Sequence, residues 1–317
     1  MDTMVVRLNK QFAEAEQSYR CLTRPSRYER RALRCLIDQG KVFKPYPNVY
    51  VRTSWWENLR KQPATRMRCV LLSIAHLHPN IVFHSFSAAI IYGLWVSGSF
   101  ANNIYAVLPN GGHGDTSGPV RYTRKPKTET KQIKGLTVTS LEQTVLDCLL
   151  AAPFPEGLAI ADSAARFYGL ERASFSAFVA SNGRGRHGVA KARMAAKYMD
   201  GSSDNGGESI VRGKIIELGF KAPDGLQVEI EDPINRGAAY RTDMYYVLPD
   251  GRLVCVEVDG LIKYGKDTAV RVLVDERQRE SRLSAAGCQV MRVLFARINE
   301  PGYLESLLIA FGIPKAD

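Results

Sequence analysis

The stretch Tyr240-Arg-Thr-Asp-Met-Tyr-Tyr-Val-Leu-Pro-Asp-Gly-Arg-Leu-Val-Cys-Val-Glu-Val-Asp-Gly260 decides how the rear of this chain folds. Two β-prone runs, Tyr240 to Leu248 and Leu253 to Asp259, flank Asp250-Gly251, a hairpin signal. Acidic residues interrupt them at particular places. Asp243 lies inside the tyrosine-rich run. Glu257 and Asp259 alternate with Val256 and Val258 and so share one face. Carboxylates on a core strand are costly unless paired, hydrogen-bonded or bound to metal. If the two strands are hairpin neighbours, Asp243 and Glu257 come within reach of one cation. Two carboxylates with water and phosphate oxygens suit Mg²⁺, or Mn²⁺ in its place. Such an ion activates water and stabilises the leaving oxygen in phosphodiester cleavage. Lys263 and Lys266 follow closely, placed to steady the attacking water or a phosphate. The competing reading is an exposed sheet face carrying ordinary charges.

Working outward, Glu208 to Leu218 is an amphipathic helix closed by Gly219, and Leu226 to Glu231 is a further strand. A long polar helix spans roughly Ala269 to Ala286, Gln289 to Leu294 is a strand, and Tyr303 to Phe311 a final helix. The expected order is helix, β-meander, helix, strand, helix. Ahead of it, Asp200-Gly-Ser-Ser-Asp-Asn-Gly-Gly207 is too polar and glycine-rich for a core element, so a domain junction is expected there.

The front differs in charge. Net charge is +11. From Glu208 onward, 15 basic residues face 17 acidic ones, whereas residues 1 to 70 carry 15 basic and 6 acidic side chains. The excess positive charge therefore lies forward, which suits a polyanionic partner, DNA first. Within it, Tyr28 to Gly40 puts Ala32, Leu33, Leu36 and Ile37 on one helical stripe with arginines opposite. Two short β-prone pieces, Lys41 to Phe43 and Asn48 to Arg52, follow around the turn-forming Pro45-Tyr-Pro47. This is the pattern of a last helix and wing in a winged helix-turn-helix; a plain helix and hairpin would read the same. Arg27, Arg30, Arg31, Arg34, Lys41, Lys44 and Arg52 are its candidate nucleic-acid contacts. Between front and rear, helices and strands mix. Ser85 to Gly93 is a helix, Ile104 to Leu108 and Val120 to Thr123 are strands, and Thr139-Ser-Leu-Glu142 reads as a capping box. Asn110 to Gly118 is a glycine-rich loop without the Lys-Ser/Thr ending of a phosphate-binding loop.

The expected class is thus α+β and multidomain: a winged-helix-like module over 1–60, a mixed α/β region over 61–200, and an α/β domain with a central mixed sheet over 206–317. A chain of 317 residues suits two or three such modules. With 45% hydrophobic and 24% charged residues it is globular in composition, and no run approaches the ~18 apolar residues of a membrane span. The first residues lack the apolar core of a signal peptide. Six scattered cysteines without a Cys-x-x-Cys pair read as reduced thiols rather than a zinc site. His76-Leu77-His78 is read as a helix end before Pro79. A cytoplasmic location, with no membrane partner, is expected.

Several positions taken together carry a resemblance. Glu208 and Arg212 open it, followed by Leu218-Gly219-Phe220, Gln227, Tyr240-Arg-Thr-Asp243 and Val256-Glu-Val-Asp-Gly260. Glu276, Arg279, Leu283, Gly287, Val290 and Arg292 complete it. In this pattern the segment resembles the Vsr-like and DUF559 branch of the PD-(D/E)XK nuclease superfamily. The resemblance implies a restriction-endonuclease-like fold in which Asp243 and Glu257 hold Mg²⁺ or Mn²⁺, Glu208 supports the site and Asp259 sits at its edge. That family commonly carries a histidine after the Glu-x-Asp-Gly box, where this chain has Leu261-Ile-Lys-Tyr264. Either Lys263 serves as the cation near the nucleophile or the chemistry has been lost. More loosely, Ser85 to Leu94 and Thr139 to Asp147, with the basic front, resemble AbiEi-type antitoxin regulators of type IV toxin–antitoxin systems. Two functions are therefore expected to compete: a Mg²⁺-dependent DNA endonuclease of defence or repair, and a non-catalytic repressor that keeps the nuclease fold as a scaffold and has a cognate toxin as partner. A structural adaptor sits poorly with the basic front.

Overall fold

The computed structural model describes residues 2–59, 63–107, 120–123, 129–232, 237, 239–260 and 281–316. The chain is α+β and divides into two compact units, Met1–Cys148 and Leu149–Asp317.

In the first unit, α1 (Asp2–Gln17), β1 (Leu22–Thr23), α2 (Arg27–Asp38), β2 (Val42–Tyr46) and β3 (Val49–Arg52) form two helices and a three-stranded sheet ordered β1-β3-β2. Ser26 starts α2 with a capping box: its hydroxyl accepts the Glu29 amide while the Glu29 carboxylate accepts the Ser26 amide at 2.7 Å. Gln11 of α1 also donates to Glu29, at 2.9 Å, which ties the two helices. Burial opposes charge on Glu29, but these bonds and Arg7 together hold it below the usual carboxylate range. Leu33 packs on Leu8, Phe12, Val42 and Tyr50. The expected turn at Pro45-Tyr-Pro47 is tighter than its prolines suggest. The strand runs through Pro45 to Tyr46, the register with β3 shifts between Phe43 and Tyr46, and Asn48 turns the chain at φ 60°.

Next come α3 (Thr53–Asn58), α4 (Pro63–Leu77), β4 (Val82–Phe83), α5 (Ser85–Tyr92), β5 (Ile104–Val107), β6 (Val120–Thr123), β7 (Thr130–Ile133), β8 (Leu136–Thr139) and α6 (Leu141–Ala151). Their strands form a mixed sheet ordered β6-β5-β4-β8-β7. All eight residues of α5 are buried, and Gly93 ends it in the left-handed conformation. The glycine-rich loop 110–118 lies outside the described residues.

The second unit opens with three helices, α7 (Phe154–Tyr168), α8 (Arg172–Asn182) and α9 (Val189–Tyr198), followed by α10 (Gly206–Glu217). Strands β9 (Gly225–Glu231), β10 (Ala239–Val247) and β11 (Leu253–Asp259) form an antiparallel meander, and β12 (Cys288–Leu294) joins β11 in parallel. Val211 and Ile215 of α10 and Leu304 and Leu308 of the last helix, Tyr303–Ala310, pack one face of the sheet against Met244, Tyr246, Val254, Val256, Met291 and Val293. The opposite face collects Cys255, Leu283 and Cys288 with Ile230, Tyr240 and Tyr245. Most of the expected helix 269–286 falls outside the described residues, as does Lys263.

The run Asp200 to Gly207 lies within this unit rather than at its edge. Its Asp200 amide donates to Asp162 of α7 at 2.8 Å, and Arg212 of α10 reaches the other oxygen of the same carboxylate at 2.6 Å. Both side chains of that ion pair are buried. Gly213 lets α10 press on α7, since a Cβ there would lie 2.6 Å from Pro155 Cα. The helices 154–198 therefore belong with the sheet, bound by a buried charge and a glycine contact that leave no periodic trace in the sequence.

Candidate functional site

Asn205 caps α10, accepting from the amides of Gly207 at 2.8 Å and Glu208 at 3.2 Å. That cap fixes Glu208 in the first turn, where the helix dipole favours a carboxylate. The Glu208 carboxylate turns back to accept the Asp204 amide at 2.8 Å and the Asn205 side-chain amide. Gln227 of β9 then donates to Glu208 Oε2 at 2.8 Å and to Asp243 Oδ1 at 3.3 Å through the same amide nitrogen. One neutral amide thus bridges two carboxylates.

The backbone is distorted to allow it. Gln227 has φ 53°, a left-handed conformation costing on the order of 1–3 kcal/mol for a non-glycine. Its flanking pairs, Leu226↔Met244 and Val228↔Thr242, keep register with β10. Leu226 packs on the helix-covered face while Ile230 packs on the other, so the strand changes side-chain phase at Gln227. Across β10 and β11, paired residues run from Val247↔Leu253 to Met244↔Val256. Beyond Met244, side chains carry the connection: the Thr242 hydroxyl donates to the Val256 carbonyl at 3.2 Å, and Asp243 Oδ2 accepts the Val258 amide at 2.8 Å.

Burial, then the charge of Asp243, raises Glu208 to about 7, against the Asp204 and Gln227 hydrogen bonds that lower it. Two oxygen-donor acids held side by side at this cost are a donor set that a divalent cation relieves. Among the described residues, no group of three or more His, Cys, Asp or Glu is placed to hold a metal ion.

The other expected residues divide. Glu257 is buried and directly precedes the amide that Asp243 holds, yet strand alternation puts its side chain on the Cys255 face. Its charge helps push the Cys255 thiol up to about 12, after burial and Cys288. Asp259 faces Arg292 of β12 in an ion pair at 3.3 Å. Hydrogen bonds thus join Glu208 to Asp243 through Gln227, while Asp259 pairs with Arg292.

No family model matches the chain, and no curated protein matches it either.

In the first unit, Arg27, Arg30, Arg31, Arg34, Lys41 and Lys44 are exposed. Lys44 lies over the Tyr50 ring at 5.1 Å. Arg52 is instead half-buried and committed to Glu16 of α1, its Nε donating at 2.7 Å. Sequence reasoning missed two parts of the rear site. In the sequence Gln227 is only one position of the resemblance, with no sign of its bridging amide. Asp204 and Asn205 sit in a run whose composition suggests a junction, although Asn205-Gly-Gly-Glu208 carries the cap spacing of a helix start and so marks the run as built into α10.

Proposed function

We propose that the second unit is a divalent-cation-dependent DNA endonuclease of restriction-endonuclease-like fold, directed to DNA by a winged-helix module in the first. The bridged row Glu208–Gln227–Asp243, set where side chains replace the ladder between β10 and β11, carries this reading. Asp243 would hold Mg²⁺ or Mn²⁺ with Glu208, the acid that Gln227 sets beside it, rather than with Glu257 as the sequence pattern suggests. Such an ion would supply an activated water and neutralise charge on the phosphate. Gln227 keeps Asp243 and Glu208 apart but adjacent. Glu208 buffers the site by taking or releasing a proton near neutral pH. Asp259 sets the edge of the site with Arg292; Lys263, the cation expected to serve the nucleophile, lies outside the described residues. On α2, Arg27, Arg30, Arg31 and Arg34 form an exposed basic face suited to backbone phosphates, with Lys41 and Lys44 beside it. Duplex DNA cut in Mg²⁺ by the wild type and left intact by Asp243→Ala is the expected result. Failure of the wild type on duplex, single-stranded and mismatched DNA alike would sink the reading.

Two observations favour a second reading, a repressor that keeps the fold without the chemistry and answers to a cognate toxin. Asp259 is already neutralised by Arg292, and Glu257 lies on the Cys255 face rather than beside Glu208. Such a protein binds its own promoter more tightly than random DNA; equal affinity for both, with steep salt dependence, counts against it. Neither reading involves a membrane span: among the described residues no helix is long and apolar enough to cross one.

A further inference from the structure

Asp204 does more than lend its amide to Glu208. Its carboxylate is shared by two guanidinium groups, with Arg166 of α7 at 2.8 Å on one oxygen and Arg241 of β10 on the other. All three groups face solvent in part: the Arg166 and Arg241 side chains keep 35% and 53% of their exposure, Asp204 30%. Arg166 is fixed by the carbonyls of Gly201 and Ser202, at 3.4 and 3.2 Å, so its head group is held in place. Arg241 stands two residues before Asp243 on the same strand. Tyr240 packs on the opposite face, so Arg241 lies on the side of Asp204 and Glu208. Two positive groups, one of them pre-positioned, thus flank the carboxylate row and share one partly exposed acid.

We propose that Arg166 and Arg241 form the anchor for a DNA backbone phosphate next to the carboxylate row, with Asp204 occupying the anchor when DNA is absent. This rests on the nuclease reading of the same site. Guanidinium groups take phosphate in the planar, two-bonded manner in which they take a carboxylate, so a phosphate oxygen replaces an Asp204 oxygen without rebuilding the pair. An exposed ion pair is a weak competitor, since its net contribution is small in water. The duplex would then lie with one phosphate on the two arginines and a neighbouring one at Asp243. Asp204 becomes a built-in competitor whose removal improves binding, the reverse of what a purely structural acid would do.

Binding of a labelled duplex to the full chain, measured in EDTA over a series of salt concentrations, tests this without requiring cleavage. Arg241→Ala should weaken binding about threefold to tenfold and lower the slope of log affinity against log salt by about 0.9, the share of one phosphate contact. Asp204→Asn should tighten binding about threefold beyond the change in Asp250→Asn, which adds the same charge by freeing Arg252 at the distant hairpin. A structural role alone predicts that both Asp204→Asn and Arg241→Ala weaken binding. Asp204→Asn no tighter than Asp250→Asn, or Arg241→Ala with an unchanged salt slope, would overturn the anchor. Should Asp204→Asn not fold by thermal melt, Arg241→Gln, which can still donate to Asp204, must show the loss of affinity and slope; if it does not, the proposal fails. Plasmid cleavage assayed in parallel keeps the two ideas apart: an intact plasmid with the expected binding changes removes the nuclease and leaves the phosphate anchor.

Discussion

Glu208 is buried where its neutral form is favoured, and the consequence for stability has a definite sign. Its folded value, about 7, lies above the ordinary 4.5, so between these pH values the folded unit holds a proton that the unfolded chain has released. The stabilisation is full below about pH 4.5 and is lost as pH rises through 7, by about 3 kcal/mol at most. Hydrogen exchange of α10, corrected for the intrinsic rate, should show falling protection in the wild type between pH 5 and 8. In Glu208→Gln, which cannot ionise, that fall should flatten; identical pH slopes in the two proteins would refute the assignment. At this scale the sequence was partly readable. The placement of Asp243 and Glu257 on adjacent strands follows from alternation and the Asp250-Gly251 turn. That Gln227 would adopt φ 53° and bridge two acids does not, because a left-handed glutamine is imposed by tertiary contacts and has no local signature.

Among the elements, the meander was the most legible, since turn residues bound its β-prone runs and the observed strands begin and end within a residue or two of the expected ones. The packing of α10 on α7 was not. It depends on Gly213, which reads as an ordinary glycine inside a helix, and on Arg212 with Asp162, residues 50 positions apart. Gly213→Ala should therefore push the two helices apart and cost about 1–3 kcal/mol. Asp162→Ala should cost more, about 3–5 kcal/mol, by leaving the Arg212 charge buried and unpaired. Urea unfolding followed by exchange in the second unit measures both. A Gly213→Ala protein as stable as wild type would mean that the close approach to Pro155 relaxes freely, contrary to this account.

Across the whole molecule, the charge asymmetry and the α+β class were plain from the sequence, but the composition of Asp200 to Gly207 concealed its role. A glycine- and serine-rich run is a poor core element, yet its amides and carboxylates can still be satisfied by neighbours, as Asp200 and Asp204 are. Residues 149–317 should accordingly fold alone with a cooperative melt, whereas 206–317, stripped of α7, should not; a well-folded 206–317 fragment would show that α7 to α9 are dispensable. The central claim, that the second unit cuts DNA with a cation held at Asp243, is met most directly by supercoiled plasmid incubated with purified protein and Mg²⁺ or Mn²⁺. The account predicts nicked or linear plasmid from the wild type, none in EDTA, and none from an Asp243→Ala protein that still shifts the plasmid in a gel. Plasmid shifted by both proteins and cut by neither would contradict it and leave the repressor reading in its place.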